Sequence, residues 1–255
     1  MCTLSWWIAD SERGVLFNRD ELRTRRRGSA PSIRPSETAF DVLCPTDPDA
    51  GGSWIGVNDR GLIVALLNNY AQEDAYIPSD IRSRGTLVVE LLQGAATAKE
   101  CLHQLSVESC RSYRPFVIFV MGPACEPLAI EWSGSQTNTI DLDHRRGLHM
   151  LTSSSYSEAR CREYREELFR NVPPERSTIR ENHLHYHRDE SALGPLMVRD
   201  DAATDSITEI VLDAGVAHMW FESVERASPK SVVANKGAPE LSPASYYTLK
   251  VNEVR

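Results

Sequence analysis

Strand-like and helix-like stretches follow one another in blocks along this chain instead of alternating one by one, and that order constrains the fold more than any other feature. Cys2 to Ile8 reads as a strand of β-branched and aromatic residues, Asp10 to Gly14 as a turn, and Val15 to Phe17 as a returning strand. Ser53 to Val57 and Leu62 to Asn68 form a second hairpin through Asn58-Asp59-Arg60-Gly61, a turn with Gly where a positive φ is called for. Two helices are expected next: one capped by Ser79 with Leu87, Val88, Leu91 and Leu92 on one face, the other capped by Thr97 and running through Leu102 and Leu105. Strand patterning resumes at Phe116 to Met121, Leu128 to Trp132, Thr139 to Leu142 and His149 to Thr152. A polar helix from about Ser157 to Asn171, with Arg162 and Glu166 one turn apart, ends at Pro173-Pro174. Ile207 to Leu212 and His218 to Val224 supply a late strand pair. Such runs imply an α+β protein of mainly antiparallel sheets with helices packed on their outer faces.

At 255 residues the chain is long enough for one sizeable domain, expected to span 1–255. A formal charge of −8 argues against general affinity for nucleic acid or anionic membrane, which leaves small molecules or proteins as partners. The six cysteines lack a CxxC pair and read as reduced thiols, and the strongest apolar runs are too short to span a bilayer. Cytoplasmic location without stable membrane insertion is the resulting expectation.

Met1-Cys2 is the chemically suggestive dipeptide. Removal of Met1 would make Cys2 a chain-terminal aminothiol, whose α-amine, with an ordinary pKa of about 8, could serve the thiol as base. Such a nucleophile needs a cation that favours thiolate, a carboxylate that orients the amine, and fixed donors for an oxyanion. The first hairpin returns Asn18-Arg19-Asp20-Glu21 toward the chain's start, so Arg19 could tune the thiol and Asp20 hold the amine. Successive strand residues point to opposite faces, so both cannot face the thiol on a regular strand. Asn68 and Asn69 close an apolar strand, where an amide could either donate to an oxyanion or form a turn.

Cys2-Thr3-Leu4, Asn18-Arg19-Asp20-Glu21, Gly52-Ser53-Trp54-Ile55-Gly56-Val57-Asn58-Asp59-Arg60-Gly61-Leu62 and Ser83-Arg84-Gly85 together resemble the NRDE family, that of the transport and Golgi organization protein 2. The match is strong through the first third; Leu151-Thr152-Ser153 and Arg199-Asp200-Asp201 resemble later family segments. The resemblance implies an N-terminal nucleophile hydrolase fold, a four-layer αββα sandwich. More distantly, Asn58 to Leu62 with Ala65-x-Leu67-Asn68 is similar to choloylglycine hydrolases and penicillin V acylases. By that similarity Cys2 is the nucleophile, Arg19 and Asp20 lie behind it, Asn68 helps form the oxyanion hole, and Arg199 corresponds to a later active-site arginine. The sequence also departs from those acylases: Arg19 and Asp20 are adjacent instead of separated by two residues, Glu21 is an equally suitable carboxylate, and Ser153 stands where they have a second Asn.

Two functions follow as expectations. One is a cysteine N-terminal nucleophile hydrolase cleaving a non-peptide, small-molecule amide through a Cys2 acyl-enzyme, chemistry that requires no metal or organic cofactor. The other is a non-catalytic haem or lipid trafficking protein, since eukaryotic relatives are associated with Golgi organisation, lipid homeostasis and haem movement. His183, His185, His187 and Asp189 alternate and on an extended strand would share one face, where they could hold a metal or haem. Arg23, Arg25, Arg26 and Arg27 form a dense basic run that reads as a solvated loop. Trp6 and Trp7 point to opposite faces of their strand.

Overall fold

The computed structural model describes residues 2–9, 12–37, 39–142, 149–226 and 238–252, with backbone alone at 73–75. Met1 lies outside the described residues, as do Asp10 and Ser11 of the expected first turn, and the rest of that turn, Glu12 to Gly14, belongs to the second strand. The strands begin with β1 (Cys2–Ile8), β2 (Glu12–Leu22), β3 (Ser29–Arg34), β4 (Val42–Thr46), β5 (Ile55–Asn58) and β6 (Ile63–Asn68). A 3-10 turn at Tyr70–Ala75 precedes helices α1 (Arg84–Gly94), α2 (Ala98–Gln104) and α3 (Val107–Cys110). Then come β7 (Phe116–Met121), β8 (Leu128–Trp132), β9 (Thr137–Ile140), β10 (Met150–Ser153), α4 (Glu158–Phe169), α5 (Arg176–His183), β11 (Ala202–Asp213), β12 (Val216–Ser223) and β13 (Ser245–Lys250). They form a six-stranded sheet ordered β10-β1-β2-β11-β12-β13 and a seven-stranded sheet ordered β3-β4-β5-β6-β7-β8-β9. The backbone divides into two compact units, one of Met1–Gly28, Asp143–Val211 and Met219–Tyr246, the other of Ser29–Leu142, Leu212–His218 and Tyr247–Arg255.

In the first unit β1 pairs antiparallel with β2 from Cys2↔Arg19 to Ile8↔Arg13, and with β10 from Cys2↔Ser153 to Ser5↔Met150. Strand alternation therefore sorts these residues by face. Trp7 and Leu16 join Ile179, Leu196, Ile207, Val211 and Val224 in a buried cluster under the helices. Burying side chains of this size stabilises by about 1.5–3 kcal/mol each relative to exposure. Helix α5 buries Ile179 and His183, one turn apart, while Arg176 and Arg180 reach the buried carboxylates of Glu209 on β11 and Glu222 on β12, each at 2.6 Å.

The alternating histidines therefore do not lie on one extended strand: His183 is the last residue of α5, and His185 and His187 follow outside it. Helix α4 buries Cys161, Arg165 and Phe169 in one stripe, so an arginine occupies the centre of its inner face. On its outer face Arg162 pairs with Glu158 at 2.7 Å, one turn toward the N-terminus, and not with Glu166.

In the second unit Ser83, not Ser79, caps α1, its hydroxyl accepting from the Gly85 N–H, and Thr97 caps α2 as expected. Leu87, Val88, Leu91 and Leu92 pack on Val64, Leu66, Ile118, Val120 and Trp132 of the seven-stranded sheet. Asn58 is fully buried and satisfied: Nδ2 donates to the carbonyls of Leu92 and Ala95 while Oδ1 accepts from the N–H groups of Arg60 and Leu62. It ties the β5–β6 turn to the end of α1, and Gly61 completes the turn at φ 72°. Gly52 sits against the α1 start so closely that a Cβ there would lie 2.2 Å from the Gly85 carbonyl carbon. Each sheet carries its helices on one face, α4 and α5 on the six-stranded and α1 and α2 on the seven-stranded, which supplies the expected two sheets and two helical layers. Among the described residues no helix is long and apolar enough to cross a membrane.

Candidate active site

Cys2 opens β1 between two neighbours, with Arg19 of β2 and Ser153 of β10 as its cross-strand partners. Partners in register share a face, so Cys2, Arg19 and Ser153 stand together on the face that α4 and α5 do not cover. Cys2 is 8% exposed and Arg19 is 4% exposed, so the pair is largely dry. The Ser153 hydroxyl is buried and has no hydrogen-bond partner among the described residues.

Arg19 is held by two carboxylates, donating from Nη1 to Asp205 at 2.8 Å and from Nη2 to Glu21 at 2.8 Å. Asp205 is 1% exposed and is also reached by Arg226 at 2.6 Å, by Arg27 at 3.7 Å and by the Gly28 N–H at 2.9 Å. A buried carboxylate ringed by three arginines anchors the cation beside Cys2. It also changes the reading of the basic run: Arg27 joins that ring, Arg25 pairs with Glu21 at 3.4 Å, and Arg23 donates to the carbonyls of Arg199 and Arg226.

Asp20 points the other way, to the helix side, as strand alternation requires. The Thr204 hydroxyl donates to its Oδ1 at 2.7 Å, and Arg165 stands 3.9 Å from its Oδ2. Burial pushes the Asp20 carboxyl up from its ordinary range, opposed by Arg165, the Thr204 hydroxyl and Arg199. The two carboxylates of the motif are therefore distinct in place: Glu21 serves Arg19, whereas Asp20 sits in the buried polar layer behind β1.

Asn18 lies on the same side, with Nδ2 donating to the carbonyls of His183 and Pro195, both at 2.9 Å. With both amide hydrogens committed, Oδ1 can only accept, and it does so from His183 Nδ1 at 2.8 Å. His183 Nε2 is then the acceptor for the Ser5 hydroxyl at 2.6 Å. Burial, followed by the charges of Arg165 and Arg180, lowers the His183 pKa to about 3, so the ring is neutral and every polar atom of the Ser5-His183-Asn18 chain is used structurally.

Burial likewise pushes the Cys2 thiol up, and the Asp20 carboxylate adds to that, against the Asp20 backbone N–H and the Arg19 guanidinium, which favour thiolate. Burial outweighs the rest, so deprotonating this thiol calls for a base at close range. The other strongly shifted thiols, Cys101 at about 12 and Cys110 at about 11, are raised chiefly by burial in the second unit's core.

Arg199, in the bend before β11, forks onto Asp201, reaches Ser155 at 3.4 Å and lies over the Tyr156 ring. Asn68 belongs to the second unit, where it ends β6 and donates from Nδ2 to the Tyr70 hydroxyl at 2.9 Å. The neighbouring Asn69 donates to Glu131 at 2.7 Å. His185 meets the Tyr164 hydroxyl at 2.6 Å and His187 accepts from the Glu190 N–H at 3.0 Å, both rings packing on Tyr164, whereas His183 is held in the buried layer with Ser5 and Asn18. Among the described residues no group of three or more potential metal ligands is found.

Arg165, Thr204 and Asp205 were not singled out by sequence. The available signals were a lone arginine in an otherwise apolar helical stripe, Cys161, Arg165 and Phe169, and an aspartate inside a long strand.

A profile of the family described as transport and Golgi organisation 2 matches residues 6–212, most of the chain. The chain belongs to that family. Its fold is also that of solved N-terminal nucleophile hydrolases. A mutant conjugated bile acid hydrolase from Clostridium perfringens aligns at 12% identity and TM-score 0.50, covering 86% of this chain and 88% of that one. A second variant of the same enzyme aligns at 12% identity and TM-score 0.55, over 99% of this chain and 98% of that one. An N-acylethanolamine-hydrolyzing acid amidase ortholog from Caenorhabditis elegans aligns at 13% identity and TM-score 0.55, over 82% and 92% of the two chains. No curated protein sequence gives a significant match. The member of the transport and Golgi organisation 2 family described here thus has the fold expected from its motifs, and at these identities the likeness speaks for fold alone.

Proposed function

We propose that this protein is a cysteine N-terminal nucleophile hydrolase that cleaves a small-molecule amide. The observation that carries the reading is the placement of Cys2: a buried thiol at the start of β1, in register with Arg19 and Ser153, with Asp20 behind it. Once Met1 is removed, the Cys2 α-amine would take the thiol proton as sulfur attacks the amide carbonyl. The same proton would pass to the leaving amine as the C–N bond breaks, giving a thioester that water then resolves to the acid and the free thiol. Arg19, fixed by Asp205 and Glu21, would favour the thiolate, and Asp20 would orient the amine. The Ser153 hydroxyl would donate to the oxyanion, the role that resemblance to the acylases assigns to Asn68. Arg199 would act at longer range, its charge helping to keep Asp20 ionised.

The fold neighbours named for hydrolysing conjugated bile acids and N-acylethanolamines suggest an amide joining an apolar acyl group to a small amine. Intact mass of the purified protein, followed by a panel of such amides against wild type and Cys2→Ala, tests the proposal. The expected result is loss of Met1, turnover of at least one amide, and an acyl adduct on Cys2 that the variant cannot form. Retention of Met1 would sink the mechanism, since the base would be tied up in a peptide bond, and would leave the non-catalytic carrier as the reading to pursue.

A further inference from the structure

Arg165 is 0% exposed and lies in the middle of α4, a position where an unpaired charge would be strongly destabilising. Its guanidinium is used around the whole fork. Nε donates to the Leu193 carbonyl and Nη2 to the Gly194 carbonyl, both at 2.9 Å. Nη1 donates to the Thr3 hydroxyl at 3.0 Å and to the Thr152 hydroxyl at 2.9 Å. Thr152 in turn donates to the Cys2 carbonyl oxygen at 3.0 Å, and Nη2 stands 3.9 Å from Asp20. One side chain therefore grips β1 immediately after the nucleophile, grips β10 opposite it, fixes the Cys2 carbonyl through a single hydroxyl, and faces the Asp20 carboxylate.

We infer that Arg165 is the positioning residue of the Cys2 site, holding the Cys2 peptide in place through Thr152 and setting its positive charge against Asp20 from the helix side. The inference rests on the Cys2 hydrolase reading for the roles of Cys2 and Asp20, but its geometry and its test do not depend on turnover. A planar five-donor fork suits this place, and lysine, with a single point of charge, would supply the counter-charge without the span. The charged and polar groups facing Asp20 are Arg165 from α4, the chain's α-amino group, Thr204 from β11, Arg199 from the preceding bend and the Cys2 thiol from β1; those bearing on Cys2 are the α-amino group, Asp20 and Arg19, and the α-amino group is common to all the variants compared below. Because the Asp20 anion opposes ionisation of the thiol, an Asp20 that keeps its proton to higher pH leaves Cys2 easier to ionise.

The test is the pH dependence of iodoacetamide alkylation at Cys2, located by peptide mass, in wild type, Arg165→Met, Arg165→Lys, Asp20→Asn and His183→Gln. His183→Gln disturbs the same buried layer through Ser5 and Asn18 without touching Asp20, and so reports on loosening alone. The expected result is that Arg165→Met and Asp20→Asn lower the midpoint by about half a pH unit or more, whereas Arg165→Lys and His183→Gln stay with the wild type. Equal shifts in Arg165→Lys and Arg165→Met, or a shift in His183→Gln, would assign the effect to packing and overturn the inference, as would a wild-type midpoint in Arg165→Met. Should Arg165→Met fail to fold, the pair Arg165→Lys and Asp20→Asn decides: parallel shifts in both overturn it, and a shift in Asp20→Asn alone upholds it. Failure of the amide panel would count against the hydrolase and leave this result standing.

Discussion

Asp205 shows at the level of one residue how a buried charge is retained. Its carboxylate is 1% exposed yet receives Arg19, Arg226 and the Gly28 N–H, so the cost of desolvation is offset by charge-assisted bonds from several directions. Removing the anion takes from the buried Arg19 the carboxylate that holds its Nη1 at 2.8 Å. Asp205→Asn is therefore expected to lower unfolding stability by about 3 kcal/mol or more, read from urea melts. A loss under about 1 kcal/mol would mean that the cluster is solvated and that Arg19 is not anchored by it.

Among elements, contact between the Gly51-Gly52 turn and the start of α1 offers a paired experiment. A Cβ on Gly52 would meet the Gly85 backbone at 2.2 Å, while one on Gly51 meets nothing within 4 Å and is disfavoured only by its φ of 72°. Gly52→Ala should cost about 2–3 kcal/mol and Gly51→Ala about 1 kcal/mol, compared by thermal and urea unfolding. Similar losses at the two positions would show that the loop moves aside. Elements of this kind were legible where their signals are local. The hairpins follow from alternation and turn chemistry, and α2 follows from Thr97 as its cap. Helix α5 was not legible, since its N-cap Glu175 makes no side-chain capping bond and alternating histidines imitate a strand period. Cys2 and Arg19 could be brought together from sequence because one hairpin sets their register. Arg165, Thr152 and Asp205 reach the same place from distant parts of the chain, where an arginine in a polar helix looks like any solvated charge.

For the molecule as a whole, His183 makes stability depend on pH. Its folded pKa of about 3 lies below the ordinary value of 6.5, so from 6.5 downward the unfolded chain takes up a proton that the fold refuses, and stability falls on acidification. Above pH 6.5 the two states hold this group alike and its contribution is fully present. Asp20 works in the opposite sense, because its raised carboxyl is protonated in the fold before it is in the unfolded chain. Comparing wild type with His183→Gln removes that common background. Between pH 7 and pH 5 the wild type should lose about 2 kcal/mol more than the variant, although the variant starts out less stable. Parallel stability curves would show that the ring takes up its proton while the protein stays folded.

The position of β1, bounded by β10 and β2, has a practical corollary. The residue proposed as nucleophile begins a strand flanked on both sides and is only 8% exposed, so whatever precedes it must leave from a crowded, mostly dry place. Under the proposed mechanism, an affinity tag or reporter fused ahead of Cys2 would cap the amine and deprive the thiol of its base. Fusions to this chain belong at its other end, and a recombinant preparation should be checked for its first residue before any negative assay is believed.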